Sequence, residues 1–199
     1  MKAKPAHCLT VSCGVLAIIT GLIYTANLEM IEEVVQVTSF SYEREAIDYL
    51  AAVAKGFPQA KVYRGQGAAN RFDVPDWNLP VLQRFQFGDF RLETPDETII
   101  VETESAGGVT NLVKYWPFLA SGNVKKRLIL LHLFQVASEG DYIAHRRLWG
   151  YLVERMKEDL QTRCGVLYGQ HWEAHLFTYR SLEELEAIRH LLQERLAGR

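Results

Sequence analysis

The stretch "GDFRLETPDETIIVETESAGGVTNLVKYW", Gly88 to Trp116, decides how the chain is read. Pro95-Asp96 has the composition of a tight turn, and with that pair at its centre Phe90 faces Val101 and Asp89 faces Glu102. Side chains alternate between the two faces of a strand, so this register can be tested on polarity. One face carries Phe90, Leu92, Ile99 and Val101, all apolar. The other carries Asp89, Arg91, Glu93, Thr98, Ile100, Glu102 and Glu104. A slip of one residue would mix the two sets, so the sorting fixes the pairing.

The same register crowds acids. Asp89 stands opposite Glu102, Glu104 is two residues further on, and neither arm contains a lysine. Two ionised carboxylates ~5 Å apart repel by roughly 3 kcal/mol at an effective dielectric near 20, whereas a favourable cross-strand pair contributes only about 0.2–1 kcal/mol. The charge therefore needs a partner: a divalent cation, Arg91 or Lys114, or a proton on one of the acids. Magnesium takes one or two carboxylates and fills its other positions with water and phosphate oxygens. Such an ion activates water for attack on a phosphodiester. Gly107 and Gly108 open the next helix, where backbone amides can receive a phosphate. The plainer alternative is a solvated hairpin face, with Arg91 making diagonal ion pairs of little energetic worth.

Around the hairpin the periodicity alternates between helix and strand. "SYEREAIDYLAAVAKGF" repeats Ile47, Leu50, Val53, Ala54 and Phe57 at helical spacing, with Ser41 as cap and Glu43 and Glu45 at the positive end of the dipole. "AKVYRG" predicts a short strand, and "GQGAANRFDVPDWNLP" predicts a loop. In "VTNLVKYW", Val109, Leu112, Val113 and Trp116 form one helical stripe and Asn111, Lys114 and Tyr115 another, with Pro117 limiting or kinking the helix. "KKRLILLHLF" suits a strand buried on both sides in the middle of a mixed sheet. "DYIAHRRLWGYLVERMKEDL" predicts a helix with Leu148, Trp149, Leu152, Met156 and Leu160 inward. "GVLYGQHWEAHLFTYR" predicts one or two strands, and "SLEELEAIRHLLQERL" a closing helix capped by Ser181. The plan is α/β with a mixed sheet.

The totals bound the rest. A chain of 199 residues with 48% hydrophobic content supports one well-cored domain. Its formal charge of -2 gives no global footprint for nucleic acid, leaving only local patches such as Lys125-Lys126-Arg127 and Arg146-Arg147. Cys8, Cys13 and Cys164 make neither a disulfide framework nor a C-x-x-C pair, which points to a reducing, cytoplasmic setting. Residues 1–29 form a hydrophobic leader without a formal charge from Pro5 to Leu28. Three readings of it stay open: a membrane anchor through residues 5–28, a signal peptide, or an extension ahead of a start at Met30. The positive-inside rule would export the rest of the chain, against the cysteine usage.

The Asp89, Glu102 and Glu104 pattern across a hairpin, with a helix before it and a helix then a strand after it, resembles the PD-(D/E)xK restriction-endonuclease-like superfamily over roughly residues 41–134. The resemblance implies a restriction-endonuclease-like mixed central sheet flanked by helices in a domain spanning residues 30–199, with a C-terminal α/β elaboration. It implies that Asp89 and Glu102 hold Mg²⁺ or Mn²⁺. The third position is normally lysine and is Glu104 here, a departure that some restriction enzymes of the superfamily share. Lys114 then stands as a relocated lysine, making Asp89, Glu102, Glu104 and Lys114 the implied catalytic set. Asn111-x-x-x-Tyr115 is similar to the Gln-x-x-x-Tyr of the RecB-like exonuclease branch, and Glu43 matches an acid that some members carry on the first helix. The implied activity is metal-dependent hydrolysis of nucleic acid, DNA first. The missing strand lysine keeps a second expectation in view, a nuclease fold that has lost catalysis and serves as a binding or assembly module, including at a membrane.

Other candidates carry less. His171 and His175 in "HWEAH" invite a zinc reading, but the glutamate is misplaced for H-E-x-x-H and no third ligand is evident. His132 and His145 read as hydrogen-bonded core residues. An inverting glycosidase needs acids about 6.5–9.5 Å apart and a sugar cleft of which the sequence has no sign.

Overall fold

The computed structural model describes residues 43–74, 77–104, 108–122 and 124–198. The leader over residues 1–29 and the Ser41 cap lie outside them. From residue 43 the apolar stripe winds as helix α1 (residues 43–51) and a 3₁₀ turn, Ala52–Gly56, burying Ala46, Leu50, Ala51, Val53 and Ala54. Strand β1 (Lys61–Arg64) comes next. The expected loop after it holds a small second sheet, in which β2 (Arg71–Phe72) pairs antiparallel with β3 (Phe85–Gln86).

The hairpin forms in the expected register. Strand β4 (Phe90–Glu93) lies antiparallel to β5 (Glu97–Glu104), with Phe90 facing Val101 and Leu92 facing Ile99. The next helix breaks at Lys114 instead of Pro117, giving α2 (Thr110–Val113) and α3 (Tyr115–Ala120). Pro117 falls in the first turn of α3, where its missing N–H leaves no bond unmade. The break shifts the helical phase: Val109, Leu112, Tyr115 and Leu119 are buried, and Val113 faces outward. Strand β6 (Arg127–Gln135) is the buried interior strand that its apolar run predicts, parallel to β5 on one side and to β7 (Trp172–Tyr179) on the other.

Between β6 and β7 runs α4 (Ile143–Asp159), continued by a wider π turn, Leu160–Cys164. Trp149, Val153, Met156 and Leu160 face inward. Leu148 and His145, both expected inward, are exposed, because the stripe is set by Trp149 and Val153 four residues apart. The last element, α5 (Glu186–Ala197), is preceded by a 3₁₀ turn, Glu183–Leu185. No Ser181 cap forms; the Glu184 carboxylate instead accepts a 2.9 Å hydrogen bond from the Arg180 backbone N–H.

The result is a five-stranded mixed sheet in the order β1-β4-β5-β6-β7 between two helical layers. Strand alternation sends Phe90, Leu92, Ile99, Val101, Ile129, Leu131 and Leu133 to the side of α1 and α5. Ile100, Leu128, Leu130 and Phe134 go to the side of α2, α3 and α4. Among the described residues no helix is long and apolar enough to cross a membrane.

Candidate active site

Because β5, β6 and β7 are parallel, their carboxyl ends share one edge of the sheet, the edge where open α/β sheets place ligands. β4 runs the other way, so Asp89, just before it, reaches the same edge as Glu102 and Glu104. Gly88 sets this approach. Its φ is +57°, and a Cβ there would lie 2.5 Å from the Val101 carbonyl oxygen, so only glycine fits.

Glu102 is 8% exposed and points to the α2–α3 side. Its Oε1 accepts from Lys114 Nζ and, at 3.1 Å, from the Tyr115 hydroxyl. The Gly88 backbone amide acts on that hydroxyl as well, against the rise that burial causes. The break at Lys114 is what allows this pair of contacts: it turns the Tyr115 ring into the core while the neighbouring ammonium stays beside the acid. Burial pushes the Glu102 carboxyl up from its ordinary value; Lys114 pulls it back, and the Asp89 charge adds to the rise. Burial, with the Glu102 charge, also holds the Tyr115 hydroxyl well above its ordinary value, so it is a donor. Of the two basic side chains that could offset the crowded acids, Lys114 stands at Glu102 and Arg91 does not.

Asp89 is held differently. Its Oδ2 accepts from both the backbone N–H and the hydroxyl of Thr103, each at 2.7 Å. The negative charge of Asp89 is felt at Glu102, Tyr115 and Tyr179, and Glu43 on α1 acts on Tyr179 as well. The Tyr179 hydroxyl is buried, takes no hydrogen bond among the described residues, and is raised first by burial and then by those two acids. Glu43 and Asp89 therefore lie near enough to Tyr179 for their charges to act on it.

Glu104 turns toward the start of α2. Its Oε1 accepts from Asn111 Nδ2 and its Oε2 from the Gly108 N–H at 3.3 Å. Gly108 is so close that a Cβ would lie 2.6 Å from Glu104 Oε2. The Gly108 amide thus serves a carboxylate of the chain itself; Gly107 lies outside the described residues. Behind Glu104, His132 Nε2 stands 3.9 Å from Oε1, and His132 Nδ1 accepts a 3.0 Å hydrogen bond from Trp149 Nε1.

Asp89, Glu102, Lys114 and Tyr115 are brought together, with Glu104 and Asn111 as a second cluster one pleat further along β5. Thr103 carries no motif signal of its own, although its place between the two acids marks it. Arg91 serves elsewhere: it donates to the Ala69 carbonyl at 2.7 Å and lies over the Tyr63 and Phe87 rings. His171 accepts from the Leu167 N–H and His175 pairs with Glu173, so "HWEAH" is spent on local structure. Lys126 pairs with Glu93, and Arg127 with Glu97 and Glu173, so two of the three basic residues before and at the start of β6 are internally matched.

Among the described residues no group of three or more His, Cys, Asp and Glu side chains converges as a metal cage. The two-acid donor set remains. Asp89 Oδ1 and Glu102 Oε2 take no hydrogen bond among the described residues. Two carboxylates with one uncommitted oxygen each, completed by water, suit magnesium's demand for few protein ligands. The chain matches no protein-family model, no curated protein and no solved structure.

Proposed function

We propose that this chain is a divalent-metal-dependent nuclease with a restriction-endonuclease-like core, hydrolysing phosphodiester bonds in nucleic acid, DNA first. The observation that carries the reading is the reach of Lys114. A lysine on the segment after β5 ends on the buried acid of β5, beside an aspartate from the antiparallel partner strand. The order helix, strand, antiparallel hairpin, helix, parallel strand from α1 to β6 supports the same core.

In this reading Asp89 and Glu102 hold Mg²⁺ or Mn²⁺, which when bound supplies an activated water and offsets the charge that develops on the phosphate. Thr103 fixes Asp89 through one oxygen and leaves the other for the cation. Tyr115 does the same for Glu102. Lys114 neutralises Glu102 in the free chain, and with the carboxylate engaged by a cation its ammonium donates to a phosphate oxygen or to the attacking water. Glu104 and Asn111 tie the start of α2 to β5.

A second reading is a catalytically inactive nuclease-like fold that serves as a binding or assembly module. One observation favours it: Lys114 already satisfies Glu102, and Gly108 and Asn111 already satisfy Glu104, with no cation required.

Cleavage of single- and double-stranded DNA and RNA with Mg²⁺ or Mn²⁺, by wild type and Glu102→Gln, separates the two. Metal-dependent cleavage abolished by the substitution is the expected result; cleavage that survives it rejects the assignment. In parallel, Mn²⁺ should raise the melting temperature of the wild type by mass action and leave Glu102→Gln unmoved. Absence of both effects leaves the module reading.

A further inference from the structure

His132 sits in the interior strand β6, 3% exposed, beside Glu102 in the strand register. Trp149 reaches it from α4. An indole N–H only donates, so the 3.0 Å contact makes Nδ1 the acceptor and assigns the ring proton of the neutral imidazole to Nε2. That Nε2–H is buried and takes no hydrogen bond among the described residues. Its nearest acid oxygen, Glu104 Oε1, is 3.9 Å away, too far for a direct bond and the span across which a bridging water is expected.

His132 and Trp149 also line, with Glu102, Asn111 and Tyr115, a small and mostly apolar cavity of about 10 Å³, at the lower limit of the room for one water. Asn111, which donates to Glu104, is the link from that cavity to the carboxylate. A buried donor left without a partner forfeits its hydrogen bond.

We propose that one buried water bridges His132 Nε2–H to the Glu104 carboxylate, and that His132, locked by Trp149, is thereby a positioning residue for the start of α2 and for Lys114. The chain of contacts is continuous: Trp149 to His132, His132 through the water to Glu104, Glu104 to Asn111 and Gly108, and three residues beyond Asn111 the lysine that reaches Glu102. It gives Glu104, which stands where the superfamily pattern has lysine, a task on behalf of the lysine that stands elsewhere. The water site is independent of the nuclease reading; only the positioning of Lys114 for chemistry rests on it.

The test uses the full chain labelled with ¹⁵N-histidine. Long-range proton–nitrogen correlation should place the His132 proton on Nε2 alone, with a cross-relaxation contact to a slowly exchanging water. A proton on Nδ1, or an Nε2–H with no water contact, overturns the proposal. Trp149→Phe keeps the packing and removes the lock, so both tautomers should appear; an unchanged single tautomer overturns the lock. Where wild type cleaves, His132→Leu should lower kcat about 10-fold or more with little change in KM. His132→Gln, which retains a side-chain N–H, should recover part of the loss; equal kcat in wild type and His132→Leu overturns the positioning role. A chain that shows the water and cuts nothing refutes the nuclease reading and leaves the water site standing.

Discussion

Replacing Lys114 with methionine removes the cation from Glu102 while keeping most of the side chain's apolar length. The two side chains are only 12% and 10% exposed, so the carboxylate left behind is largely cut off from water. Its remaining donor is the Tyr115 hydroxyl, and Asp89 still repels it. Breaking a buried pair by removing one partner costs about 3–5 kcal/mol; the residual exposure puts Lys114→Met near the lower end, about 3 kcal/mol. Replacing both partners, Glu102→Gln with Lys114→Met, removes the stranded charge and should return to within about 1 kcal/mol of wild type. The double-mutant cycle then yields a coupling of roughly 2 kcal/mol plus whatever Glu102→Gln costs alone, since that variant strands the Lys114 ammonium. Urea denaturation measures all four corners, with unchanged m-values confirming that compactness is preserved.

The pH dependence gives a second readout on the same variants. Burial raises the Glu102 carboxyl in the folded chain above its unfolded value. Its contribution is therefore fully present below the unfolded value and is lost as pH rises through the raised folded one. Without Lys114 the folded value climbs further, so the deficit of Lys114→Met should widen as pH rises above the unfolded carboxyl value of about 4.3. A cost under about 0.5 kcal/mol at every pH, the level of an exposed ion pair, would refute the view of Glu102–Lys114 as a desolvated unit.

Two further predictions concern the approach of Asp89. Thr103→Val deletes the hydroxyl that holds Asp89 Oδ2 at 2.7 Å and keeps the backbone donor, so Mn²⁺ affinity by calorimetry should fall about 10- to 100-fold with the fold intact. Gly88→Ala forces a Cβ to within 2.5 Å of the Val101 oxygen at φ +57°, and should cost at least about 2 kcal/mol, read as a lowered melting temperature even without metal.

The hairpin register is legible in the sequence because its two faces differ in chemistry: a one-residue slip would bury Arg91 and Glu102 with α1. The interior position of β6 is legible from its unbroken apolar run, and the acid crowding puts Lys114 among the candidate compensators, beside Arg91, a cation and a proton. What escapes has no periodic trace. β2 and β3 are two residues each, too short for alternation to register. The burial of Tyr115 depends on the helix break at Lys114, and a continuous helix would place it with the polar stripe. The Trp149–His132 bond joins a helix to a strand through tertiary packing, which spacing along the chain does not encode. Glu104 groups with the other acids because strand alternation puts it on their face, but alternation says nothing of Asn111 and Gly108 waiting beyond the strand's end.

One apolar face of the sheet is roofed by helices from opposite ends of the described chain. α1 and α5 both pack on Phe90, Leu92, Ile99, Val101 and Ile129, and Tyr49 on α1 donates to Glu186 while Gln59 donates to the Leu196 carbonyl at 2.8 Å. During translation the first roof beam leaves the ribosome long before the second; at about 5–20 residues per second the interval is on the order of 10 s. Throughout it the strands lack half of the roof that covers this apolar face in the folded chain.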